Sequence, residues 1–104
     1  MIEALIRTAI EKKSCLTGVY KDTVRRFAPH ALGTTEDGTP AVFAFQYAGA
    51  SSAGLPRGGD WRCFHLDALS HVVENDDRWR RRSNYGLSGQ SCLARIDLAV
   101  ADKG

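Results

Sequence analysis

The sequence predicts a mainly β domain with an N-terminal helix, an α+β chain built as a small β-barrel or a strongly bent antiparallel sheet. Three observations predict it. A helical period is confined to the first 13 residues. Period-two runs of β-branched and aromatic residues follow. Turn-forming Asp, Asn and Gly separate those runs at short spacing, as in small all-β folds.

The helix is read from Ile2, Leu5, Ile6, Ala9 and Ile10, which share one face, while Glu3, Arg7, Glu11 and Lys12 fall on the other. One stripe is thus apolar and needs a partner to bury it. Lys12 and Lys13 suit the end of the helix, where its dipole favours cations. Residues 16–20 then form a strand, Lys21, Asp22 and Thr23 a tight turn, and residues 24–28 the return strand. Pro29 is expected to stop that strand, because it cannot donate to a ladder, and Ala31 and Leu32 to begin another short extended piece. Glu36-Asp37-Gly38 is a turn of the kind that tolerates positive φ. It leads into AVFAFQYAG, residues 41–49, the plainest strand in the chain. Residues 49–59, GASSAGLPRGG, read as a loop. Trp61 to Leu66 is the next strand, Asp67-Ala68-Leu69 turns it, and residues 71–74 extend again. The tail from 91 to 100 alternates, with Cys92, Ala94, Ile96, Leu98 and Val100 on one side and Arg95 and Asp97 on the other.

The chain has 104 residues, 43% hydrophobic and 25% charged, with net charge +2. One folded domain is implied, and any attraction to nucleic acid must come from local clustering of cations. No apolar run approaches the roughly 20 residues that span a bilayer. The first residues lack the basic-then-apolar order of a signal peptide. A cytoplasmic protein without membrane contact is expected. Cys15, Cys63 and Cys92 are odd in number, far apart and without a C-x-x-C pair. They are expected to be reduced thiols, with no structural zinc site.

The order AIEKK, LTGVYKDTVRRFAP with Arg25 four residues before Pro29, ALG, the Asp-Gly turn into AVFAFQY, then WRCFHLDAL leading into HVVENDDRW, resembles a WYL domain from about Leu5 to about Trp79. WYL domains are bacterial modules usually found behind a DNA-binding helix-turn-helix in transcription regulators. The resemblance implies a small Sm-like (SH3-like) β-barrel beside a helix, over residues 1–80. A C-terminal extension, 81–104, then carries the strand at 91–100. It implies a module that senses nucleic-acid ligands through basic and aromatic side chains on the barrel. Trp-Tyr-Leu itself is absent near residues 40–43, and His65 and Ala68 stand where the family commonly has arginine. A stand-alone domain without a helix-turn-helix is expected, and a separate DNA-binding protein is one partner in view, which the sequence leaves open.

The candidate ligand residues are Arg25, Arg62, His65, Tyr20 and Tyr47. Guanidinium offers fixed bidentate donors to phosphate, histidine can hydrogen bond a ligand, and tyrosine can stack on a base. In the strand at 61–66, Arg62, Phe64 and Leu66 point one way, and Trp61, Cys63 and His65 the other. Each candidate has a plainer reading: Arg62 as an ion pair with Asp22 or Asp67, the tyrosines as packing. Arg25 and Arg26 must face opposite sides. The run from Arg78 to Arg82 with Trp79 inside it is the densest cationic segment, but Glu74, Asp76 and Asp77 precede it, which suits a solvated turn. There is no Walker loop, HExxH or G-x-S-x-G, so no catalytic residue, cofactor or metal is expected. Two functions are in view. One is a non-catalytic regulatory module that binds single-stranded nucleic acid or a nucleotide-derived ligand. The other is an interaction module, a homodimer joined through the tail strand.

Overall fold

The computed structural model describes residues 2–49, 59–79 and 91–100. The first element is the expected helix, α1 (Ile2–Lys12), with Ile6, Ala9 and Ile10 buried. It ends where Lys13 takes φ 58°. There the Lys13 N–H donates to the Ile10 carbonyl and the Ser14 N–H to the Ala9 carbonyl, the two bonds of a Schellman cap.

The remaining described elements are β1 (Leu16–Tyr20), β2 (Thr23–Thr34), β3 (Pro40–Gly49), β4 (Asp60–His65), a 3-10 turn (Leu66–Ala68), β5 (Leu69–Glu74) and β6 (Arg95–Ala99). They form one antiparallel sheet in the order β4-β3-β2-β1-β5, with β6 also paired to β2. Lys21 and Asp22 both have positive φ, 51° and 64°, which matches the right-handed twist of a two-residue hairpin. The Asp37-Gly38 turn also forms, with Gly38 at φ 85° and its N–H donating to the Thr35 carbonyl.

The sheet is strongly curled. Its two edge strands, β4 and β5, are separated in the chain only by the three-residue turn. Across the concave face, Tyr20 of β1 meets Phe64 of β4 at 4.9 Å between ring centroids. The Tyr20 hydroxyl accepts the His65 backbone N–H at 3.3 Å. No strand pairing joins β4 to β5 among the described residues, so the sheet is not closed. The concave face, capped by α1, holds Leu16, Tyr20, Phe27, Leu32, Val42, Phe64 and Leu69. The opposite face of β2, β3 and β4 is not wet. Ala31, Ala41 and Phe43 lie under Leu93, with Trp61, Cys63, Cys92 and Ala99 packed around them.

Four expectations are corrected. Pro29 does not stop a strand: β2 runs unbroken through it, and Ala31 and Leu32 continue β2. On one edge, residues 23–27 pair with β1 and 31–34 with β6. Pro29 falls between them, at a register shift against β3, where its missing N–H breaks no rung of either ladder. The turn after β4 lies at Leu66–Ala68, one residue early, and Leu69 already belongs to β5. The tail strand is shorter than 91–100, and a register shift between Leu32 and Gly33 breaks its alternation. Leu98 and Val100 join the core, but Ile96 is 40% exposed. Finally, Cys63 and Cys92 are not reduced thiols: they form a disulfide, with Cα atoms 5.4 Å apart, and Cys15 stays outside it as a thiol. Most of the loop at 49–59, and Arg80 to Arg82 of the cationic run, lie outside the described residues.

Candidate functional site

The sequence places Arg25 on β2 and Arg62 on β4, two strands apart, and the curl of the sheet turns both toward the concave face. Arg25 has Phe27 two residues on, and Arg62 has Phe64, so alternation commits both arginines to the side of the core. Arg25 is only 3% exposed. Its guanidinium carbon lies 5.3 Å from the Tyr20 ring centroid and 5.9 Å from that of Phe64. Its Nε donates to the Thr23 hydroxyl at 3.0 Å, and that hydroxyl in turn donates to the Tyr20 carbonyl at 2.9 Å. Among the described residues, no carboxylate stands within ion-pair distance of Arg25.

Its electrostatics follow from that setting. Burial, and then the positive charge of Arg62, lower the pKa of Arg25 from its ordinary value, while Tyr20 acts the other way. Arginine still keeps its proton in water. A nearly buried cation therefore sits beside a second cation, at a real cost in desolvation and repulsion. An anion placed between them would offset both.

Arg62 is partly compensated. Its Nη1 meets Asp60 Oδ2 at 2.9 Å and the Trp61 carbonyl at 3.2 Å. The expected partners, Asp22 and Asp67, are not the ones it uses. Asp60 lies two residues back on the same strand and hence on the same side, a signal the sequence did carry. Lys21 was also overlooked: its ammonium sits 5.7 Å from the Tyr20 ring centroid. The corner thus gathers Arg25, Arg62 and Lys21 around Tyr20 and Phe64.

The other candidates do not join it in the same way. His65 reaches the corner through its backbone N–H. Tyr47 lies in a separate network: its hydroxyl donates to Asp77 Oδ2 at 2.5 Å and accepts from Asn75 Nδ2 at 3.3 Å. Asp77 also takes Arg26 Nη1 at 3.3 Å, and Asn75 Nδ2 donates to the Thr17 hydroxyl at 2.8 Å. Burial, and then the bond to Asp77, raise the Tyr47 pKa far above the usual range. Arg25 and Arg26 do face opposite ways, one buried and one exposed. Of the cationic run, Trp79 stacks on His30 with ring centroids 4.5 Å apart and packs against the core, while the Arg78 carbonyl accepts the Cys15 thiol at 3.5 Å. Trp79 is thus a packing residue as placed here. Cys63, two residues before His65 on β4, is bonded to Cys92.

Comparison with the sequence patterns of known families, with curated proteins and with solved structures returned no match. No helix among the described residues is long and apolar enough to cross a membrane.

Proposed function

We propose that this chain is a WYL-like regulatory module, a cytoplasmic non-catalytic sensor that binds an anionic ligand at the Arg25–Arg62 corner. The ligand class is single-stranded nucleic acid or a nucleotide-derived molecule. The fold in this reading is an Sm-like barrel left open between β4 and β5. The observation that carries it is Arg25: a nearly buried guanidinium, flanked by a second cation and lacking any carboxylate partner among the described residues. Structural arginines at such burial are ordinarily paired. One left beside another cation suits a site whose counter-charge arrives with a ligand. Binding would come from phosphate neutralisation by Arg25 and Arg62, with Lys21 adding charge at the rim, and no bond is made or broken.

The test is a fluorescence-anisotropy titration with short labelled single-stranded DNA and RNA, at low and at physiological salt. Binding should weaken as salt rises, because each neutralised phosphate releases counterions, and Arg62→Ala should lower affinity at least tenfold. No binding at low salt, or equal binding by the variant, overturns the reading.

The interaction-module reading draws on β6, whose outer edge has no partner strand among the described residues. Its inner edge is already taken by β2 of the same chain. Strand exchange is therefore not needed to satisfy the tail, which makes homodimerisation the second reading.

A further inference from the structure

The Cys63–Cys92 disulfide lies far from any role in the anion corner. Cys63 belongs to β4, and Cys92 lies just ahead of β6. In the sheet β4 and β6 are separated by β3 and β2. The bond therefore straps residues 92–93 across the convex face, where Leu93 covers Ala31, Ala41 and Phe43. Both cysteines are only half-buried.

Leu93, Leu98 and Val100 pack inward from this segment, but the strand behind the strap is short and mostly exposed. β6 has five residues, of which Arg95, Ile96 and Asp97 are exposed, and its ladder with β2 is interrupted by a register shift. Among the described residues its flanks add the backbone bonds Ala94 N–H to the Thr34 carbonyl and Val100 N–H to the His30 carbonyl. The approach is close: a Cβ at Gly33 would collide with the Arg95 carbonyl. The rest of the sheet does not depend on β6 in this way. β3 pairs with β2 along nearly its whole length and with β4 over six positions.

We infer that Cys63 and Cys92 form a redox-responsive site, a latch whose reduction by a cellular thiol such as glutathione undocks the 92–100 segment from β2 and β3. The thiolate attacks one sulfur of the pair and forms a mixed disulfide. A second thiol resolves it, so the Cys63–Cys92 bond breaks, two thiols form, and the two reductant thiols leave as their own disulfide. Two electrons and two protons pass to the protein. A half-exposed bond across a short, mostly exposed strand is the arrangement in which such exchange changes shape rather than merely chemistry. In a reducing compartment, disulfides that form are usually of this transient kind. The undocked state frees the β2 edge at 31–34 and the apolar patch at Ala31, Ala41 and Phe43.

Hydrogen exchange read by mass spectrometry on the full chain, oxidised and then equilibrated with reduced glutathione, tests this. Peptides covering 31–34 and 95–99 should exchange at least tenfold faster after reduction, while those covering 41–46 stay protected. Cys92→Ser without reductant should behave like the reduced wild type. Equal exchange in both states overturns the latch. So does loss of protection everywhere, which would make the bond a global staple. Alkylation of the air-purified, denatured chain checks the bond itself. One reactive thiol, Cys15, is expected, and three would overturn the proposal.

Discussion

Two polar regions flank β2, and they are built from the same kinds of residue. On the outer side, Arg26, Tyr47, Asn75 and Asp77 bond to one another, and every charge there has its opposite. On the concave side, Arg25, Tyr20 and Arg62 also meet, but among the described residues Arg25 has no carboxylate partner, and Asp60 pairs with Arg62 while taking the Trp61 N–H. Among the described residues the first region pairs its charges, and in the second Arg25 has none of opposite sign within ion-pair distance. Adjacent residues, Arg25 and Arg26, end up in opposite situations because alternation along β2 sends one into the curl and the other out of it. Polarity alone therefore does not mark a binding site. The proposed site rests instead on a charge held by packing without a carboxylate partner among the described residues.

The comparison is broken most severely at the floor of the corner. Phe64 is 1% exposed and touches Tyr20, Phe27 and the Arg25 guanidinium. Phe64→Ala should cost about 3–5 kcal/mol in chemical denaturation, the usual range for an aromatic truncated in a core. Anion binding should fall with it, even where the variant is still folded. A variant that lost stability but bound as tightly as wild type would show that the floor does not hold the corner.

Arg25→Met sharpens the contrast, because here stability and binding should part. The change removes a desolvated cation beside another cation and keeps much of the side-chain volume. It also forfeits the cation–π contact with Tyr20, worth about 0.5–2 kcal/mol. Replacing buried charge by well-packed apolar groups is often neutral or stabilising, so stability should stay level or rise by up to about 2 kcal/mol, while anion affinity drops at least tenfold. A loss of stability together with unchanged binding would recast Arg25 as a structural residue.

Much of this was legible in the sequence, for reasons that can be named. α1 shows because its stripe of Ile and Ala repeats at the helical period, and β3 because Val42, Phe43, Phe45 and Tyr47 crowd one short run. The opposition of Arg25 and Arg26 needs only period two. What was hidden depends on neighbours that no local pattern displays. Pro29 looked like a stop because its missing N–H matters only where a partner strand asks for it. The gap between β1 and β6 is a fact of three strands, not of one. Cys63 and Cys92 are 29 positions apart, and pairing at that range cannot be deduced from spacing. Tyr47 looked equivalent to Tyr20 as an aromatic on a strand. It is the register shift between Arg26 and Phe27 against β3, together with Asp77 arriving from 30 positions further along the chain, that assigns it to the closed network.

Tyr47→Phe tests that assignment with a smaller effect. The hydroxyl donates to a charged acceptor, yet Asp77 keeps Arg26 when it is gone. The loss should be about 1.5 kcal/mol, the low end for a bond to a charged group, and anion binding should not move. The pH dependence carries the stronger signature. Burial and Asp77 raise the folded pKa of Tyr47 above its ordinary value of 10.0. Between those two values the folded chain holds a proton that the unfolded chain has lost, so this contribution is complete below about pH 10 and declines as pH rises further. The margin of wild type over Tyr47→Phe should therefore be constant in denaturation series from pH 6 to 9 and shrink above pH 10. A margin that grew with alkali would mean that the phenol ionises more readily in the folded chain. It would then stand beside cations, as Tyr20 does, and the division between the closed network and the open corner would fail.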